Sequence, residues 1–131
     1  MLIDANVFLE VQLDQGRADE AQRFLERVAD GEVGATVTHF HVDAIAYILE
    51  QRGNDGAVET FLLSLLGYDG LSVVTQSVAE KAMACRLFDR YDSLDFDDAL
   101  AVQAALALEE PTVVSYDTDF DTVSIVERTM P

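Results

Sequence analysis

The residues of this chain that could do chemistry are four aspartates: Asp4, Asp43, Asp98 and Asp117. Asp4 directly follows the apolar run 1–3, and Asp117 comes two residues after the run 112–115. Asp43 falls in the first turn expected for a helix after residues 34–38, and Asp98 in the first turn of an apolar helix that leads back to residue 112. Singly, most have an ordinary use. Asp98 suits a helix N-terminus, Asp95 or Asp97 its cap, and Asp117, in Asp-Thr-Asp, a turn. Asp4 has no such use, because a carboxylate beside an apolar strand is costly to bury unpaired. Gathered together, the four would repel one another and need a positive partner, and the sequence places little Lys or Arg near them. A hard divalent cation with oxygen ligands fits that need. Mg²⁺ keeps several waters and binds through one or two carboxylates plus substrate phosphate, an arrangement suited to phosphodiester hydrolysis by an activated water, with one metal or two.

These positions converge only if the elements around them do. Apolar residues recur at helical spacing after Asp4 (Val7, Phe8, Val11), before Gly31 (Ala21, Phe24, Leu25, Val28) and before Gly53 (Val42, Ile45, Ile48, Leu49). Further helices are expected over 58–66, over 77–91 with Val78, Ala82, Cys85 and Phe88 near one face, and over 98–108. The last is apolar nearly all round and should be buried. Strands are expected over 1–3, 34–38, 71–75, 112–115 and 123–126. Unbroken apolar strands alternating with helices predict an α/β fold in one domain, 1–131. Its central sheet is mainly parallel, of four to five strands, with helices on both faces. Ligands of such sheets collect at the carboxyl ends of the strands, which is where Asp4, Asp43 and Asp117 would lie; Asp98 joins them if its helix starts at that edge.

The 131 residues carry 25 acidic and 8 basic side chains, a formal charge of −17, and Lys81 is the only lysine. A globally basic nucleic-acid binder is excluded, since such proteins displace counterions with Lys and Arg. The composition resembles that of proteins from salt-accumulating microbes, whose charged surfaces are screened over a few ångströms. If RNA is bound, salt or a local patch drawn from Arg17, Arg23, Arg52, Arg86 and Arg90 must offset the repulsion. The apolar stretches are too short and interrupted to span a bilayer, and the start has no basic segment of a signal peptide. A cytoplasmic location with no membrane partner is the expectation. Cys85 cannot form an internal disulfide and is expected as a small core residue.

Three segments resemble the PIN-domain family: Met-Leu-Ile-Asp-Ala-Asn-Val-Phe-Leu at 1–9, Asp-Asp-Ala-Leu-Ala-Val-Gln-Ala-Ala at 97–105 and Val-Val-Ser-Tyr-Asp-Thr-Asp-Phe-Asp-Thr-Val at 113–123. The resemblance covers the chain in order and length. It implies a PIN-like domain and a Mg²⁺- or Mn²⁺-dependent ribonuclease. More narrowly, it implies the toxin of a VapBC-type toxin–antitoxin pair, acting on RNA, homodimeric, and blocked by an antitoxin protein. By position, Asp4, Asp98 and Asp117 match the family's metal-holding acids, Asn6 and Ser115 its accessory polar residues, and Asp119 a weaker accessory position. The family's second acid is commonly a glutamate; here Asp43, one carbon shorter, takes that place among the catalytic acids. Glu50 lies two turns further on. His39 and His41 are read as surface or RNA-contacting residues rather than ligands.

A PIN-fold binding or regulatory module with an impaired acidic site is the alternative, and Asp43 in place of glutamate favours it. A receiver-like domain needs a lysine near the last strand, where Lys81 is not, and a haloacid-type phosphatase needs Asp-x-Asp where the chain has Asp4-Ala5-Asn6. Walker and dinucleotide loops are absent, as is a serine elbow.

Overall fold

The computed structural model describes residues 1–131. Its strands are β1 (Leu2–Ile3), β2 (Ala35–Thr38), β3 (Leu71–Val74), β4 (Thr112–Val114) and β5 (Glu127–Thr129). They form one sheet in the order β3-β2-β1-β4-β5, with every pairing parallel. Parallel neighbours need long crossovers. Helices α1 (Ala5–Gln12) and α2 (Ala18–Ala29) join β1 to β2, and α3 (His39–Arg52) and α4 (Ala57–Leu65) join β2 to β3. Helices α5 (Val78–Ala84) and α6 (Phe96–Ala105) carry the chain back across the sheet to β4.

The pleat sends successive strand residues to opposite faces, and two cores follow from it. Ile3 and Val114, paired in register, point into a cluster with Val7, Phe8, Phe24, Val28, Ile45 and Phe61 from α1 to α4. Their neighbours Leu2 and Val113 point the other way, against Ala101, Val102 and Ala105 of α6 and against Phe120. Phe8 and Phe61 meet edge to face at 6.0 Å, which ties α1 to α4. The helical spacing read in Ala21, Phe24, Leu25 and Val28 is the buried face of α2. Gly31 follows that helix at φ +74, a conformation glycine adopts without a Cβ penalty.

The structure departs from expectation in four places. The last strand lies at Glu127–Thr129 rather than 123–126. Asp117 caps a 3₁₀ turn, Thr118–Thr122, and Val123 fills the second core from a loop. The helix expected over 77–91 stops at Ala84 and tightens to a 3₁₀ turn, Cys85–Leu87. Its inward residue is Ala84, so Val78 is 86% exposed and Cys85 faces solvent instead of the core. β3 is a sheet edge with Val73 and Val74 open to solvent, not a strand covered on both faces. The apolar helix starts at Phe96, capped by Asp95, two residues before Asp98.

Candidate active site

The parallel pairing of β1 and β4 decides what meets at the carboxyl edge. Ile3 lies opposite Val114, so the next residue of each strand, Asp4 and Ser115, become neighbours. The Asp4 N–H donates to the Val114 carbonyl at 3.0 Å, and the Ser115 hydroxyl donates to Asp4 Oδ2 at 2.6 Å. Ser115 Oγ in turn accepts from Asn6 Nδ2 and from the Asp117 N–H, both at 2.9 Å. Asn6 Oδ1 accepts from the Tyr116 N–H at 3.4 Å. One hydroxyl thus fixes Asp4, Asn6 and Asp117 together, with all its hydrogen-bonding capacity used. Ser115 is fully buried and Asp4 is 7% exposed. Burial pushes the Asp4 carboxyl above the usual carboxylate range; the Ser115 and backbone hydrogen bonds oppose this, and the charge of Asp117 adds to it.

The first turn of α6 brings a second group of acids to the same edge. Asp95 is the N-cap: its Oδ1 accepts from the Asp98 N–H at 3.2 Å, and Asp98 Oδ2 accepts from the Asp95 N–H at 3.3 Å. Asp98 is pushed up to about 7, first by desolvation and then by the charges of Asp95, Asp4 and Asp97. Asp97 is pushed up to about 6, first by its side-chain hydrogen bond with Asp95, then by desolvation, with the charges of Asp95 and Asp4 adding to it. The same hydrogen bond holds Asp95 below its ordinary value. Asp97 and Asp98 therefore both feel the charge of Asp4, Asp4 feels that of Asp117, and no neighbouring cation relieves Asp4, Asp97 or Asp98.

Asp43 stands differently. It is the fifth residue of α3, past the first turn where it was expected, and it is exposed. None of the charges acting on Asp4, Asp97 or Asp98 comes from it. The α3 residue that faces the α6 acids is His41, buried to 1% exposure rather than lying on the surface as expected. Its Nδ1 lies 2.6 Å from Thr38 Oγ1, its ring lies against the backbone of Asp97, and its Nε2 has no partner. Burial lowers it to about 4, so the ring is neutral near pH 7. His39 is exposed. Asp119, also exposed, donates its N–H to Asp117 Oδ1 at 2.8 Å. Arg128, on β5, braces the edge from below: Nη1 donates to the Ser115 carbonyl at 3.1 Å, and Nε and Nη2 hold Asp121 at 2.7 and 2.9 Å.

Asp97, His41 and Arg128 were not singled out as site residues from the sequence. Asp97 alone had a visible signal, its place in Asp95-Phe96-Asp97-Asp98, but capping and catalysis use the same residue types there. No three His, Cys, Asp or Glu side chains close around one point as a ready cage. The chemistry the group can do is to hold positive charge: oxygen donors, short of a cation, on a braced strand edge. The largest concavity, about 640 Å³ between α3 and α4, is lined by Leu49, Ala57, Leu62 and Leu63 and lies apart from these acids.

The fold has known counterparts. VapC20 of Mycobacterium tuberculosis, a toxin that cleaves the sarcin–ricin loop, superposes with a TM-score of 0.79 at 16% identity over 99% of this chain and 98% of that one. A chain of VapBC2 from Rickettsia felis, solved bound to a DNA fragment from its promoter, gives 0.74 at 14% identity over 98% and 96%. No curated protein matches the chain. The PIN-domain profile matches residues 1–126, a span that contains Asp4, Ser115, Asp117 and the whole first turn of α6; the chain belongs to the PIN-domain family.

Proposed function

We propose that this protein is a Mg²⁺- or Mn²⁺-dependent endoribonuclease that hydrolyses RNA phosphodiester bonds, and that it is the toxin of a VapBC-type pair. One observation carries the reading. Burial and the charges of neighbouring aspartates raise Asp4, Asp97 and Asp98, and no Lys or Arg offsets any of the three, which is the arrangement a divalent cation relieves. Family membership and the fold shared with VapC20 support it.

Asp4, Asp98 and Asp117 are the residues that would hold the ion. When bound, it supplies the charge that activates water and stabilises the developing oxyanion. The protein's own part is positional. Ser115 fixes the Asp4 carboxylate, Asn6 and the Asp117 backbone hold Ser115, and Asp119 steadies the Asp117 side chain. Asp98 and Asp97 present oxygens from the first turn of α6. An antitoxin that covers this edge, a homodimer and a cytoplasmic location belong to the same reading.

The test is cleavage of structured RNA with Mg²⁺ or Mn²⁺. Asp4→Asn should lower the rate by about a hundredfold or more, the scale lost when one preorganised electrostatic group is removed, while the fold is kept. Wild-type cleavage that survives excess EDTA would remove the metal. Growth arrest on expression, relieved by the neighbouring gene's product and lost in Asp4→Asn, separates the toxin from a binding module. The module has one observation of its own: Asp43 lies outside the group of acids that sense one another. On that reading RNA is bound and never cut under any divalent ion.

A further inference from the structure

One short 3₁₀ turn, Thr118–Thr122, touches the supports of both groups of acids. On the strand side Asp117 caps the turn, and the Asp119 N–H donates to Asp117 Oδ1 at 2.8 Å. Asp121, in the same turn, accepts from Nε and Nη2 of Arg128 at 2.7 and 2.9 Å. Nη1 of that guanidinium donates to the Ser115 carbonyl at 3.1 Å. One planar group therefore grips both ends of the segment 115–121, which carries Asp117. On the helix side stands Ser93, two residues before Asp95, the cap of α6. Its hydroxyl lies 2.7 Å from Thr122 Oγ1 and donates to the Asp119 carbonyl at 3.4 Å. Thr122 Oγ1 donates to the same carbonyl at 2.8 Å. Phe120, in the middle of the turn, is buried in one cluster with Tyr91 and Leu94, which flank Ser93.

Arg128 has two effects of opposite sign. Its hydrogen bonds with Asp121 hold the guanidinium above its ordinary value, and the charge of Asp117 adds to this. A fixed cation that feels Asp117 repels a divalent ion placed there. By charge alone Arg128 works against the ion; by geometry it works for one. A rigid fork of donors holds a carboxylate and a carbonyl at once, which a single ammonium does not reproduce. We infer that Arg128 and Ser93 are positioning residues: through the turn 118–122 they set the spacing between Asp117 and the acids of α6, and with it the affinity for the divalent ion. This rests on the metal-dependent reading and deepens it by naming residues outside the ligand set that tune the site.

The test is Mn²⁺ binding to the full chain without RNA, read from the EPR signal of the free ion. A chain of charge −17 offers weaker sites as well, so the ion that counts is the one lost in Asp4→Asn. Charge alone would tighten Mn²⁺ binding in Arg128→Gln. Positioning should weaken it about tenfold, the low end of what a residue supporting a metal ligand contributes. Arg128→Lys keeps the charge without the fork and should bind like Arg128→Gln, not like wild type. Ser93→Ala alters no charge and should weaken binding about threefold, the scale of one hydrogen bond. A purely structural role would lower stability to urea and leave the Kd of the folded chain unchanged, so Kd is read where circular dichroism shows each variant folded. Arg128→Gln that binds Mn²⁺ as tightly as wild type or tighter overturns the inference, as does full rescue by Arg128→Lys. If the Arg128 variants do not fold, an unchanged Kd in Ser93→Ala overturns it. A wild type with no ion that Asp4→Asn loses overturns the metal-dependent reading itself.

Discussion

The two groups of acids at the sheet edge are held in place by opposite means. Asp4 and Asp117 sit at the ends of neighbouring strands and are fixed through one serine hydroxyl whose bonds run from 2.6 to 2.9 Å. Asp95, Asp97 and Asp98 sit in one helical turn and are fixed by each other, acid against acid and acid against backbone. The strand group is braced before any ligand arrives. The helix group carries its repulsion as raised proton affinity, to about 7 for Asp98 and about 6 for Asp97. On the proposed function the difference would divide the labour: the strand end would fix where an ion sits, and the helix end would set how much the site gains when one binds.

Removing the brace should have the largest effect on stability. Ser115→Ala leaves Asp4 buried without its hydroxyl donor and strands Asn6 Nδ2 and the Asp117 N–H. A hydrogen bond to a buried charge contributes about 1.5–3 kcal/mol, so urea unfolding should show a loss of about 2 kcal/mol or more, with Asp4 pushed still higher. A loss below about 0.5 kcal/mol, the level of an ordinary surface change, would mean that the network does not hold the strand acids. Cleavage should fall with stability in this variant, whereas Asp98→Asn should cost cleavage with no loss of apo stability, because it removes a repelled charge.

Titration sharpens the contrast next. Asp98 and Asp97 have folded values above their ordinary 3.8, so between about pH 4 and 7 the folded state binds more protons than the unfolded state. By linkage, the stability these protons confer is complete below about pH 4 and is lost as pH rises through about 6 and 7. Asp95, held low, acts in the opposite sense and only in more acidic solution. In EDTA the melting temperature should decline from pH 5 to 8, Asp98→Asn should flatten the decline, and Mg²⁺ or Mn²⁺ should reverse it by mass action. A profile that is flat in EDTA, or one unchanged by the substitution, would show that the helix acids are not strained by one another.

The same contrast explains what could be read from the sequence. The strand acids were legible because their positions follow from chain geometry alone: a residue that ends a buried parallel strand lies at the carboxyl edge, and Asp4 and Ser115 do meet there. The sheet, its parallel pairing and the buried face of α2 were legible for the same reason, through unbroken apolar runs and the 3.6-residue repeat. The helix acids were half legible, because cap and ligand use the same residues, and Asp97 went unassigned. The end of the chain was misread because 123–126 is apolar to fill a core rather than to pair a strand. Cys85 was misplaced because α5 buries Ala84 alone, and a period fixes a face only where a whole face is buried. His41 was misjudged because a buried histidine beside an acid is a tertiary fact, set by how α3 and α6 abut through Phe40 and Phe96.

The smallest expected effect belongs to Asp43, and it decides which α3 residue serves the site. Asp43 is exposed, its side chain makes no hydrogen bond or ion pair, and it is not among the charges that raise Asp4, Asp97 or Asp98. Asp43→Asn should therefore change stability by less than about 0.5 kcal/mol and cleavage by less than about threefold, well short of Asp98→Asn. Asp43→Glu, which adds back one methylene, separates two outcomes. If activity rises well above wild type, a longer carboxylate on α3 can reach the acids and the native aspartate falls short of them. If neither substitution matters, α3 serves the site through His41, whose Nδ1 is tied to Thr38 and whose unpartnered Nε2 adjoins the turn that carries Asp97 and Asp98. A loss in Asp43→Asn equal to that in Asp98→Asn would place Asp43 with the other acids after all, and the division between braced strand and strained helix would need a third member.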